Sequence, residues 1–246
     1  MVTYFTSDYT GAPFEFFGTA HIVTLLIACA LFASVFYLPK ITTPTSRKWI
    51  RYTIGTILIL NEFGYHTWHI IYGRWTLHTM LPFHLCSVMV WLGAYMLYTR
   101  SGRIAEFMYF LGIAGATQAL LTPDVGIYGF PHFRYFQTFI AHTLIVVAAL
   151  YMMVVEGFRP TWASAKRVFV WTNIYMIFVF ILNQIIGSNY LFIAHKPETP
   201  SLIDLLGPWP WYILPIELIA IALILLLYLP YALKDRKDQR TRRQTT

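Results

Sequence analysis

Apolar stretches close to bilayer length follow one another down the chain with only short polar connections between them, and this alternation constrains the fold more than any other feature. A helix crossing the hydrocarbon core needs roughly 20 mostly apolar residues. Stretches of that kind run near 17–38, 50–72, 82–99, 104–121, 134–155, 168–190 and 210–233, separated by connections such as LPKITTPTSRK and LTPDVGIYGFPH. Water cannot satisfy backbone groups inside lipid, so each stretch must satisfy its own as a helix. The expected fold is therefore all-α: a polytopic membrane helix bundle of about seven transmembrane helices. With 57% hydrophobic and 12% charged residues and a mean hydropathy of +0.56, the chain has no room for a soluble domain. A single membrane domain over 1–246 is expected, ending in a basic tail at 234–246. The N-terminus carries Asp8 and Glu15 rather than a basic leader with a small-residue cleavage site, so the first span is expected to be retained.

The charges choose an orientation. Alternate loops collect Lys40, Arg47, Lys48, Arg51, Arg100, Arg103, Arg159, Lys166, Arg167 and the six basic residues of the tail, leaving Arg74, Arg134 and Lys196 for the other side. The positive-inside rule then predicts N-out and C-in. The net charge of +7 is dispersed in short loops without a basic patch bearing stacking aromatics, which argues against a nucleic-acid partner. The tail is instead suited to anionic headgroups, at about 1 kcal/mol per basic residue near the surface. Aromatic residues at span ends, Trp75, Tyr190 and the segment GPWPWYI among them, read as interface anchors. In LGIAGATQA, the pairs Gly112/Ala116 and Gly115/Ala119 suit close helix packing.

Polar residues recur at one depth. Span two carries Glu62, His66 and His69 at i, i+4 and i+7, on one helical face in its outer half. At 1.5 Å rise per residue, Cys86 falls about 6 Å and His142 about 12 Å below the outer ends of their spans. Gln118, Asn183 and Glu217 come to a similar level from three further spans. Ionisable groups at such depths usually line a cavity or a substrate path. The expectation is a polar cavity in the outer half of the bilayer.

A thiol near a helix start behind Pro82 is favoured as thiolate by the helix dipole, and an imidazole nearby would favour it further. Such a pair can accept an acyl group. His84 projects about 200° away from Cys86 on a helix, so His142 is the better-placed base. The competing reading makes Cys86 a small buried hydrophobe, as is expected of Cys29. A zinc site built from Glu62, His66 and His69 with His84 or His142 is a second alternative, although neither HExxH nor a Cys/His zinc pattern is present. No metal and no other cofactor is expected. His21, His78, His132 and His195 read as wet residues near loops or interfaces. Lipid ester carbonyls lie close to the depth expected of Cys86, so the geometry suits acyl transfer or ester hydrolysis. Asn183, Gln118 or backbone N–H groups are candidates for holding the oxyanion.

The segments LPFHLC at 81–86, FIAHT at 139–143 and NYLFIAHKPETPSLIDLLGPWPWYI at 189–213 resemble the bacterial YwaF-like membrane proteins, relatives of eukaryotic transmembrane protein 164. The resemblance covers roughly 50–230. It implies a fold related to the androgen-induced hydrolases of fatty-acid esters and, from the eukaryotic relative, a phospholipid acyltransferase using a cysteine and a histidine. Those roles fall on Cys86 and His142. The hydrolase branch uses threonine as nucleophile, which places a chain with Cys86 nearer the transferases. The expected function is transfer of a fatty acyl group from a membrane phospholipid to a lysolipid, in a bacterial plasma membrane. Glu62, His66, His69 and His84 would shape the cavity, and Arg134 would attract a lipid phosphate. Water as acceptor would make the protein a hydrolase, and a cavity in which no bond breaks would make it a transporter or binding protein.

Overall fold

The computed structural model describes residues 4–197 and 202–244, with side chains at 4–197 and 203–237. Every regular element among these residues is helical. They form two compact units, one comprising the chain up to Thr76 together with His84–Phe158, the other Leu77–Phe83 together with Arg159 onward.

The first unit contains α1 (Thr19–Val35), a single turn α2 (Leu38–Ile41), α3 (Pro44–Ile71), α4 (Leu85–Thr99), α5 (Gly102–Phe107), α6 (Ile113–Leu121) and α7 (Phe133–Val154). Thr43 starts α3 through a reciprocal capping box with Ser46, and Pro44 occupies the first helical position, where its missing N–H costs nothing. α5 and α6 are joined by a π-helical turn over Met108–Gly112 and make one run of 20 residues that is apolar on average. At the end of that turn and three residues on, two glycines bring the neighbouring helices close. A Cβ on Gly112 would meet Ile145 of α7 at 3.2 Å, and one on Gly115 would meet Leu85 of α4 at 3.3 Å. The small-residue packing expected of this span is therefore present. Leu58, Met96, Leu97, Met108, Ile145 and Tyr151 fill a continuous core among α3, α4, α5 and α7.

In the second unit, α8 (Trp162–Ile186) begins with a capping box between Thr161 and Ser164 and ends where Gly187 takes a left-handed conformation, φ 68°. It pairs with α9 (Ile213–Gln244) through Trp162 against Tyr228 and through Asn173 Nδ2, which donates to Glu217 Oε2 at 3.2 Å. Segments 102–121, α7, α8 and 213–237 are long and apolar enough to cross a membrane, and α1 and α4 are shorter apolar helices. α3 has the length, at 28 residues, but carries Arg47, Lys48, Arg51, Glu62, His66 and His69 within it. The apolar window of α7 is 67% buried, whereas those of α8 and α9 are 11% and 6% buried, so the last two present most of their apolar surface outward, as lipid-facing helices do.

Several sequence expectations change in detail. α4 begins at Leu85 rather than 82, because residues 77–83 are held as a turn: Tyr190 Oη donates to the Leu77 carbonyl and accepts from Leu81 N, and Tyr175 Oη donates to the Phe83 carbonyl. Tyr190 is thus a fully buried clasp and not an interface anchor. α9 continues as helix to Gln244 instead of ending near 233. Cys29 is exposed on α1. His21 and His132 are only 1% and 0% exposed and are structural. Each accepts a backbone N–H at Nδ1, from Phe17 and Arg134 respectively. Each Nε2–H then donates to a distant carbonyl, of Leu120 and Thr6.

Candidate active site

The polar residues of the first unit gather where α3 and α6 end and α4 and α7 begin. Their centre is Arg134, the second residue of α7. Its guanidinium lies 4.3 Å from the Tyr65 ring centre, and Nη1 donates to Gln137 Oε1 one turn further on. The Gln137 carbonyl accepts from Asn61 Nδ2 at 3.1 Å, which ties α3 to α7 at this level. The charge of Arg134 acts on Glu62, Tyr65, His69 and His142. Glu62 is only 4% exposed, and the Arg134 charge offsets part of the cost of burying its carboxyl.

The hydrogen bonds fix the histidine tautomers, since an indole N–H only donates and a carbonyl only accepts. His66 Nδ1 accepts from Trp75 Nε1 at 3.0 Å, so its hydrogen sits on Nε2, which faces Glu62 Oε1 at 3.5 Å. His69 and His142 are the reverse. Nδ1 of His69 donates to the Tyr65 carbonyl at 3.0 Å, and Nδ1 of His142 to the Thr138 carbonyl at 2.7 Å. Nε2 of His142 therefore carries a lone pair, as a general base requires.

Cys86 is the second residue of α4, nearer the helix start than the sequence suggests. His84, the residue before the helix, makes no side-chain cap, so the first-turn N–H groups beside the thiol are not taken up by it. The missing Cβ of Gly115 leaves room over the sulfur, since a methyl there would sit 4.0 Å from Sγ. The charge of Glu62 reaches the thiol. Among the described residues no hydrogen bond joins Cys86 to His142. His84 interacts with Asp124 in the α6–α7 loop, and the Asp124 charge also acts on Tyr65 and Arg134.

Glu62, His66, His69, His84, Cys86, Arg134 and His142 all belong to the first unit. Gln118, also in that unit, is exposed on α6. Asn183 and Glu217 lie in the second unit with their hydrogen bonds committed there. Asn183 donates to the Tyr190 carbonyl and accepts from Ser188 Oγ and Tyr190 N, which closes the end of α8. Glu217 accepts from Asn173. Among the described residues no three His, Cys, Asp or Glu side chains converge as metal ligands. Tyr65, Gln137, Asn61 and Asp124 were not singled out in the sequence. Gln137 lies one turn beyond Arg134, and Asp124 is an acid in an otherwise apolar loop.

Four helices of crossing length and apolar composition define an integral membrane protein, and its first unit carries a buried polar cluster. The chain belongs to the TMEM164 family, whose model matches residues 16–228. That match takes in α1 as well as the spans bearing the motifs. No curated protein and no solved structure matches the chain.

Proposed function

We propose that this protein is an intramembrane lipid acyltransferase of the bacterial plasma membrane, YwaF-like, with seven crossings, its N-terminus outside and its C-terminus inside. In this reading the androgen-induced hydrolases are more distant relatives. The observation that carries the reading is the placement of two groups in the first unit. A cysteine stands in the uncapped first turn of α4, and a histidine on α7 has its tautomer fixed so that Nε2 is a free base.

The chemistry follows from those atoms. A phospholipid enters from the bilayer with its ester at the start of α4 and its phosphate near Arg134. His142 Nε2 removes the thiol proton as Sγ attacks the ester carbonyl carbon. The first-turn N–H groups of α4 stabilise the tetrahedral oxyanion. The C–O bond to glycerol then breaks, the leaving oxygen takes the proton from Nε2, and a lysolipid departs from the Cys86 thioester. A second hydroxyl attacks the thioester with His142 again removing its proton, which returns to sulfur as the acyl group leaves. Water in place of that hydroxyl gives net hydrolysis. The thiol and imidazole must close on one another when substrate binds, as catalytic hydrogen bonds often do.

The test is intact-protein mass after incubation with a defined phospholipid, with lysolipid measured in the same samples. An acyl-sized increment on wild type, absent from Cys86→Ser and released by hydroxylamine, is expected. A well-folded protein that gains no acyl mass and releases no lysolipid ends the proposal. The lack of a hydrogen bond between the thiol and His142 among the described residues, beside a cluster centred on Arg134 and Glu62, favours as second reading a binding or transport protein. There Cys86→Ala is silent and Glu62→Gln abolishes ligand binding.

A further inference from the structure

At the far ends of α3 and α4 lies a second buried group of charges that the proposed reaction does not use. Arg51 is 6% exposed, and both its Nε and one terminal nitrogen, Nη1, are shut off from solvent without a hydrogen-bond acceptor. The nearest carboxylate, Glu156 at the end of α7, stays 3.9 Å from Nη1 because Arg100 Nε takes its other oxygen at 2.6 Å. Arg100 closes α4 in a left-handed conformation, φ 59°, which a non-glycine residue adopts only when its surroundings hold it there. Arg47 brings a third positive charge to this end, with two of its N–H groups held by Thr42 Oγ1 and the Pro39 carbonyl. The charges of Arg47, Arg51, Arg100 and Glu156 are all felt at Tyr151. Tyr151 Oη in turn donates to the Arg47 carbonyl at 2.6 Å and holds α7 to α3.

A buried cation with two unmet donors is costly, and an acceptor that brings negative charge offsets both the unmet donors and the buried charge. Its position identifies the class of acceptor. Arg51 precedes Glu62 by eleven residues and Arg100 follows Cys86 by fourteen, which places this group about 16–21 Å along the helix axes from the polar cluster. That distance carries it toward the opposite bilayer surface, where the abundant anions are the phosphates of lipid headgroups. We propose that Arg51 and Arg100 form a binding site for the phosphate of a phospholipid on the membrane face opposite Cys86. Glu156 limits its affinity by competing for the same two guanidinium groups.

The shared chemistry is a tetrahedral phosphate, which a lipid or the free anion could supply, and the experiment separates them. Full-length protein, stripped of lipid in detergent, is titrated with dioleoyl phosphatidylglycerol, with dioleoylglycerol lacking the phosphate, and with inorganic phosphate. Retained lipid is read by native mass spectrometry and stability by the thermal midpoint. Wild type is expected to retain phosphatidylglycerol and gain stability from it alone. Arg51→Gln is expected to weaken retention about tenfold or more, the loss of a hydrogen-bonded charge. Arg100→Gln also weakens retention, because it releases Glu156 to pair with Arg51. Glu156→Gln removes the competitor and strengthens it, an outcome that a purely structural Arg51–Glu156 pair would not give. Lys48→Gln, an exposed cation in the preceding turn, leaves retention unchanged. Equal lipid retention by wild type, Arg100→Gln and Glu156→Gln overturns the proposal even if Arg51→Gln fails to fold. Stabilisation by inorganic phosphate equal to that by lipid overturns the assignment to a lipid.

Discussion

Asn183 and His142 are both polar side chains on apolar helices, and they are treated in opposite ways. Asn183 in the second unit is 2% exposed and spends its amide inside one short stretch of chain, donating to the Tyr190 carbonyl while accepting from Ser188 and Tyr190. Its environment is closed, with the amide oxygen accepting twice and Nδ2 donating within the same stretch of chain. His142 in the first unit anchors one nitrogen on Thr138 and leaves the other open, within reach of the Arg134 charge from an earlier turn of its helix. A closed polar group stabilises a fold, whereas one held at one end and free at the other can do chemistry. The contrast predicts that substitutions in the two regions separate activity from stability.

The largest effect is expected at the thiol. Cys86→Ala should reduce acyl transfer at least about a thousandfold, as removal of a nucleophile does, while the thermal midpoint moves little. A Cys86→Ala protein that still releases lysolipid at the wild-type rate would break the contrast at its active end. Asn183→Ala should do the reverse. It removes the three hydrogen bonds to the Ser188 hydroxyl and the backbone of Tyr190, a loss of about 3 kcal/mol of stability. The fraction that stays folded should keep its turnover, and the paired measurements are thermal unfolding and activity per folded molecule.

Arg134→Gln sharpens the comparison within the first unit. The substitution can keep a bond to Gln137 but removes the cation that Glu62, Tyr65 and His69 all feel, so phospholipid should bind roughly tenfold more weakly. Arg134→Lys should recover charge but not the stack on Tyr65. A smaller effect is expected at Gly115, where a methyl would approach Leu85 at 3.3 Å and sit 4.0 Å from the Cys86 sulfur. Gly115→Ala should raise KM a few-fold and change stability by less than about 1 kcal/mol. If it changes neither, the space over the thiol is not where the ester lies.

How far the sequence reached can be judged from the same residues. The face carrying Glu62, His66 and His69 was legible because helical spacing alone puts them together, and the close approach at Gly112 and Gly115 because small residues at four-residue spacing permit little else. Depth along a span placed Cys86 and His142 in one layer but could not say which way each side chain turns. Asn183 and Glu217 occupied the right depth and yet satisfy partners within the second unit, since depth carries no information about which helices are neighbours. The start of α4 was misplaced because Tyr190 and Tyr175, about a hundred residues away in sequence, hold residues 77–83 out of the helix. Arg51 resembled an ordinary orientation charge, and its burial arises only from the convergence of α3, α4 and α7 at that end.

His132 gives the mildest prediction and the one most specific to pH. It stands just before α7 and joins the N-terminal segment to that helix, accepting from Arg134 N and donating to the Thr6 carbonyl at 3.0 Å. Burial disfavours its imidazolium and holds its pKa below the ordinary value of 6.5. The Thr6 carbonyl opposes that shift and the Arg134 charge adds to it. The unfolded chain therefore takes up a proton near pH 6.5 that the folded protein refuses, so His132 contributes its full stability above that pH and loses it as the pH falls toward the folded value. Asparagine can still cap the helix through its side-chain oxygen but cannot titrate. His132→Asn should then be slightly less stable than wild type at pH 8, by about 1 kcal/mol for the lost bond to Thr6, and the gap should close on acidification. Thermal midpoints of the two proteins between pH 5 and 8 decide it. Parallel curves would mean that the proton is taken up elsewhere, and that His132 is a cap and nothing more.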